Sequence, residues 1–125
     1  MQFKLIQPDD WHLHVRSGEA LKSVIGMSAN QMARAIIMPN LNPPVANAEQ
    51  AQEYRDEILA ALPEDTEFDP LMVLYLTNNT SVKDIEVASK CHFIKAAKLY
   101  PAGATTNSDS GVTDIKNIYP TLEIM

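Results

Sequence analysis

The 125 residues are enough for one compact domain, and 46% are hydrophobic, so a buried core is within reach and disorder is disfavoured. A net charge of −6 argues against nucleic acid as a partner, and no apolar run approaches the length of a membrane span. The single cysteine, Cys91, cannot pair within the chain and MQFKLIQPDD lacks a signal-peptide stretch, so a reducing, cytoplasmic setting is expected.

Residues 3 to 6 and 11 to 15 read as short extended segments, separated by Pro8 and two aspartates. Residues 19 to 29 read as a helix, with Leu21, Val24, Ile25 and Met32 near helical spacing. The run RAIIMP predicts a buried strand at 34 to 39, stopped by proline, and NLNPPVAN then reads as a loop. Asn47 is placed to cap a helix over 48 to 61, whose Ala51, Tyr54, Ile58 and Leu62 share one face. LMVLYL at 71 to 76 predicts another buried strand, and Thr80 or Ser81 opens a short helix to about residue 89. FIKAAKLY at 93 to 100 is a further apolar run, followed by the small-residue loop PAGATTNSDSG. Thr113 is expected to start a last helix, with Ile115, Ile118, Tyr119 and Leu122 in phase. The order is β-α-β-α-β-α-β-loop-α. Strands apolar on both faces imply a parallel sheet, open or closed into a barrel. The last helix reaches Met125 with no glycine or proline stop, so the chain is expected to be part of a longer one.

Chemistry concentrates in three places. In DDWHLHVR, residues two apart in a strand share a face, so His12, His14 and Arg16 project together while Trp11, Leu13 and Val15 are expected to pack under helices. Paired neutral imidazoles suit a zinc ion, and the arginine suits a carboxylate held bidentately. His-x-His alone is a weak signal, since such pairs are commonly incidental, and an arginine there is commonly a surface ion pair. Lys98 ends the apolar run at 93 to 100, and residues 94, 96 and 98 are expected to share a face. It either snorkels to solvent or sits neutral, paired or modified. A neutral lysine amine can add carbon dioxide, giving a carbamate whose two oxygens can bridge two metals. Asn40 follows the second strand. All these groups fall at strand carboxyl ends, where parallel α/β folds collect ligands.

PDDWHLHVR, MPNLNPPV and AAKLYPAGATTNS resemble the N-terminal part of the bacterial class II dihydroorotases, members of the amidohydrolase superfamily. The resemblance covers essentially all 125 residues. It implies the N-terminal half of a (β/α)8 TIM barrel: four parallel strands, three helices and the start of a fourth. It implies reversible, zinc-dependent closure of N-carbamoyl-L-aspartate to dihydroorotate in pyrimidine biosynthesis, with two zinc ions per complete site. It implies that His12 and His14 bind zinc, that Lys98 is carboxylated and bridges both ions, and that Arg16 and Asn40 bind the substrate carboxylate. Thr105 and Thr106 would lie in a loop, about residues 101 to 111, that closes over the substrate. A homodimer and a small-molecule substrate complete the expectation.

A full barrel needs about 250 residues. The family's remaining histidine ligands and its proton-carrying aspartate come later, so residues 1 to 125 are expected to be an incomplete domain, inactive alone. His92 precedes the fourth strand, at the end opposite Lys98, and cannot substitute. A hydantoinase or allantoinase would share the histidines and lysine but not be expected to share Arg16, Asn40 or the PAGATTNS loop. A metal-free barrel homologue is disfavoured by the joint presence of all five groups. A flavodoxin-like domain lacks its glycine-rich phosphate turn.

Overall fold

Residues 71 to 76 are buried without a break, and they run through the middle of the sheet in the computed structural model, which describes residues 1–125. That strand, β3 (Asp69–Tyr75), pairs on one side with β2 (Arg34–Ile37) and on the other with β4 (Ile94–Lys98). Strand β1 (Asp9–Leu13) pairs with β2, every pairing is parallel, and the spatial order is β1-β2-β3-β4. Adding each strand on the same side winds a barrel; a doubly wound open sheet, such as a flavodoxin-like one, reverses direction. There is no reversal, which is the winding of the first half of a (β/α)8 barrel.

Helices α1 (Gly18–Ala29), α2 (Ala48–Ala60) and α3 (Val82–Ala88) connect the strands. Each buries a stripe: Leu21, Ile25 and Ala29 in α1, Ala51, Tyr54 and Ile58 in α2. Asn47 Oδ1 accepts from the Gln50 amide, and Ser81 and Asp84 form a reciprocal capping box, so these helix starts are fixed by side chains. The stripes meet Ala35, Ile37, Met72, Leu74 and Leu76 in one core of 19 residues. Full burial of each large aliphatic side chain contributes roughly 1.5–3 kcal/mol. The other sheet face carries Ile36, Leu71, Val73 and Tyr75, and it is this face that leads to the chemistry below.

Several sequence expectations are corrected. Residues 3 to 6 form no strand; no neighbour offers them a ladder, and Ile6 is 96% exposed. The first strand lies at 9–13 rather than 11 to 15, and its register slips between Asp10 and Leu13. That bulge puts Trp11 outside the helix-packed layer, 59% exposed with the Arg34 guanidinium 5.7 Å from its ring. A second slip, between Ile94 and Ala96, puts Ile94 with Met72 on the core side, while Ala96 and Lys98 face the other way. Hence 94 does not share a face with 96 and 98. The last helix does not begin at Thr113. Asp114 caps a 3-10 turn, Ile115–Ile118, which runs into α4 (Tyr119–Ile124). The change of helical pitch breaks the expected stripe: Ile118 and Thr121 are buried, whereas Ile115, Tyr119 and Leu122 are exposed.

Candidate metal and substrate site

Leu13 sits opposite Ile37 and packs against the core, so the imidazoles on either side of it, His12 and His14, face away from the helices. The bulge frees the His12 amide, which donates to Asp10 Oδ1 at 2.9 Å and so stays satisfied. The two Nε2 atoms stand 3.2 Å apart. Two nitrogens on one tetrahedral zinc, each about 2.0–2.1 Å from the ion, are separated by about 3.3–3.4 Å. The pair is therefore spaced as two ligands of one ion. Partial burial, then the positive charges of Lys98, His12 and Arg16, push the His14 pKa below its usual value and favour the neutral, ligating form. No group of three or more His, Cys, Asp and Glu side chains gathers here, so a third donor from this chain has to be of another kind.

Lys98 supplies a candidate. It ends β4 in register with Tyr75, and its Nζ lies 3.3 Å from Met38 Sδ and 4.8 Å from the Tyr100 ring centroid. It takes part in none of the three ion pairs of the chain. Burial pushes the ammonium pKa down. A lysine whose pKa is lowered by burial and which lacks an acid partner is closer to its nucleophilic, neutral form than a solvent-exposed one.

Arg16 follows the first strand in the left-handed region, at φ 61°, a conformation that is strained for a residue with a side chain. Helix α2 clamps it. Tyr54 Oη donates to the Arg16 carbonyl at 2.5 Å, and Glu57 accepts the Gly18 amide at 2.7 Å. The Arg16 guanidinium reaches the Asn40 carbonyl, which also accepts from Asn107 Nδ2 at 3.3 Å. Asn40 is 3% exposed and its Oδ1 has no partner. An acceptor left unmade in a buried place is a mark of a site whose partner arrives from outside.

The loop after β4 returns on itself where Pro101 bridges Val112. Ser108, fully buried, ties it internally by donating to the Thr105 carbonyl and accepting the Thr105 amide. Gly111 is needed at its exit, since a Cβ there would stand 2.5 Å from the Tyr100 carbonyl. The result is a cavity of about 300 Å³ lined by His14, Arg16, Asn40, Lys98, Tyr100, Thr105 and Thr106. Its lining brings together an imidazole, an amine, a guanidinium and an amide, and the loop contributes two exposed hydroxyls. His92 lies away from it, exposed against Phe93 just before β4 begins. Tyr75, Tyr100 and Asn107 carry no functional signal in the motifs above, and Tyr54 reads there only as part of a helix face. A tyrosine inside a buried strand carries a hydroxyl that needs a partner, and that signal marks Tyr75 in LMVLYL.

Tyr54 gives a test of the clamp. Burial, then the Glu57 charge, raises its phenol pKa, with Arg16 opposing. A raised acid pKa in the folded state means that stability is full below the unfolded value, about 10, and falls as pH rises beyond it. Tyr54→Phe should lose about 1 kcal/mol at neutral pH, from the hydrogen bond, and should lose less than the parent between pH 9 and 11. Urea midpoints across that range check both; parallel curves would contradict the assignment.

No protein-family profile matches the chain. It is 62% identical over 121 residues to a dihydroorotase of Delftia acidovorans, and 60% identical over 121 residues to dihydroorotases of Cupriavidus necator and Ectopseudomonas mendocina. In each case the match takes in 97% of this chain but 35% of the relative, so the chain spans about a third of the length of these curated relatives. Among solved structures, a dihydroorotase from Campylobacter jejuni superposes on 95% of the chain with a TM-score of 0.85 at 43% identity, covering 35% of that protein. A dihydroorotase from Saccharomyces cerevisiae, in complex with 5-fluoroorotic acid, superposes on 94% with a TM-score of 0.83 at 34% identity, covering 32%.

Proposed function

We propose that these residues are the N-terminal portion of a zinc-dependent dihydroorotase and supply its histidine pair, its bridging lysine and its carboxylate grip. The proposal is carried by the 3.2 Å approach of His12 and His14 Nε2 within the sheet mouth that also holds Lys98 and Arg16, and it is supported by the likeness to dihydroorotases over nearly the whole chain. A hydantoinase-like reading has no use for Arg16 and Asn40 beside the metal groups.

His12 and His14 are the residues that would hold zinc, with Lys98 as the third donor after carboxylation. In that step the neutral Nζ adds to carbon dioxide: a new N–C bond forms, one amine proton leaves to solvent, and a carbamate anion remains. The fall in the Lys98 pKa through burial favours the neutral amine that this addition requires. When bound, zinc ions supply Lewis acidity and a water acidic enough to deprotonate near neutral pH. The chain's own residues do the rest. Arg16 presents its guanidinium to the substrate carboxylate, and the Asn40 side-chain amide, which lines the same cavity, can donate to that group through its Nδ2. Thr105 and Thr106 line the cavity from the loop, where their hydroxyls can hydrogen-bond a polar ring and closure of the loop would exclude water. No aspartate or glutamate lines the cavity, so the proton carrier of the reaction comes from outside these residues. No helix is long and apolar enough to cross a membrane. A cytoplasmic address and a homodimer belong to the same proposal and rest on the single unpaired thiol and on the family likeness.

The test uses the protein in which these residues occur. It should consume dihydroorotate, bind zinc, and leave hydantoin essentially untouched; comparable rates on both would assign it to another cyclic amidohydrolase. The 125 residues by themselves, given zinc and dihydroorotate, should show no turnover.

A further inference from the structure

The loop at residues 101 to 111 carries the two threonine hydroxyls of the cavity, so its position decides whether they reach a ligand. Burial does not hold it down. Residues 101 to 107 are all exposed, and in the rest of the loop only Ser108 and Gly111 are buried. Its seam with the turn at 41 to 44 is not packed shut: Leu41, Asn42, Pro44, Asn107, Asp109 and Ser110 line a gap of about 70 Å³. No ion pair includes a loop residue. Its hydrogen bonds run among residues 100 to 112, with one exception. Asn107 Nδ2 donates to the Asn40 carbonyl at 3.3 Å.

Asn107 has φ 55°, in the left-handed region that asparagine tolerates better than most residues with a side chain. Its acceptor belongs to a residue only 3% exposed, and Arg16 Nη1 reaches the same oxygen at 3.4 Å. A carbonyl oxygen has two lone pairs and can hold both donors. Loop and guanidinium are thus referenced to one atom. We propose that Asn107 is a positioning residue: its bond to the Asn40 carbonyl docks the loop on the substrate grip and sets Thr105 and Thr106 at the cavity. The proposal rests on the function proposed above and adds a residue to it. One hydrogen bond of ordinary net strength shifts a docked–undocked equilibrium about three- to tenfold. That is weak enough to open for exchange of substrate and strong enough to read in kinetics.

Two substitutions in the protein in which these residues occur test it. Asn107→Gly keeps the left-handed backbone and deletes the amide; Asn107→Asp keeps the shape and exchanges the donor for an acceptor. Glycine also loosens the chain, and aspartate also brings a charge near Arg16; only the missing donor is common to both. Each should lower kcat/KM for dihydroorotate about three- to tenfold. In a Thr105→Ala/Thr106→Ala background Asn107→Gly should cost less than about twofold more, because the groups it positions are gone. A general loss of fold would lower activity in both backgrounds alike, so equal losses overturn the role, as does parent kcat/KM in either single variant. A second measurement needs no turnover. With ¹⁵N-asparagine in the ligand-free protein, the Asn107 side-chain amide, identified by its loss in Asn107→Gly, should have one proton at the downfield shift of a bonded amide. A pair at the shift of free amides overturns the docking contact. If the parent itself does not turn over dihydroorotate, the functional reading fails and takes this inference with it; an active parent with indifferent variants removes Asn107 alone.

Discussion

Replacing Lys98 by methionine should lower dihydroorotate turnover, in the protein in which these residues occur, by about 10³-fold or more. The amine is 3.3 Å from Met38 Sδ and over the Tyr100 ring, with no carboxylate to pair with. A thioether of similar length suits those apolar neighbours, so the fold should survive, and stability should hold within about 0.5 kcal/mol or improve. What disappears is the donor proposed to join the two imidazoles on the metal. Metal-ion stabilisation of a reacting carbonyl is worth several kcal/mol, and each 1.36 kcal/mol is a factor of ten in rate. Zinc content should fall together with kcat. Elemental analysis and steady-state kinetics on the same preparation check this. A Lys98→Met protein with undiminished zinc and near-parent turnover would end the case for a lysine-bridged site.

The second large effect belongs to Arg16. Arg16→Gln keeps hydrogen-bonding capacity but removes the charge and the fork that match a carboxylate. Truncating one side of a partly buried charged contact costs about 2–5 kcal/mol, so kcat/KM for dihydroorotate should drop roughly 10²–10³-fold. Most of the loss should appear in KM, because the carboxylate is remote from the bond being broken. The control is a substrate analogue in which the carboxylate is a carboxamide. The parent should discriminate strongly against it, and the variant should not. If both proteins prefer the carboxylate by the same factor, the anion is held elsewhere.

The order of elements and the identity of most groups in the cavity are legible in the sequence. Proline after Met38 and the cap at Asn47 bound their elements by local rules, Ser81 is the one of the two candidates, Thr80 and Ser81, that opens the third helix, and the strand-end placement of His12, Asn40 and Lys98 follows from that order. The misplacements have a common physical origin. Strand parity is reliable only while the ladder is regular, and two register slips shifted Trp11 and Ile94 to unexpected faces. A slip is decided by how a strand fits its neighbour, which the strand's own residues do not encode. The last helix went wrong similarly, since a 3-10 turn rotates every later side chain relative to an α-helical count.

The sequence by itself determined which elements form, that the sheet is parallel, and which titratable side chains stand at its chemical end, because hydrophobic period, caps and proline stops act over a few residues. Tertiary structure alone decided how those groups are held and what accompanies them. It set Tyr54 on the carbonyl of Arg16 across 38 residues, Asn107 on Asn40 across 67, and Met38 beside Lys98 across 60. Such contacts depend on how helices and loops settle on the sheet, and no local pattern carries that information. The unpaired oxygens of Asn40 and Tyr75 are of the same kind: a group is known to lack a partner only once everything around it has been placed.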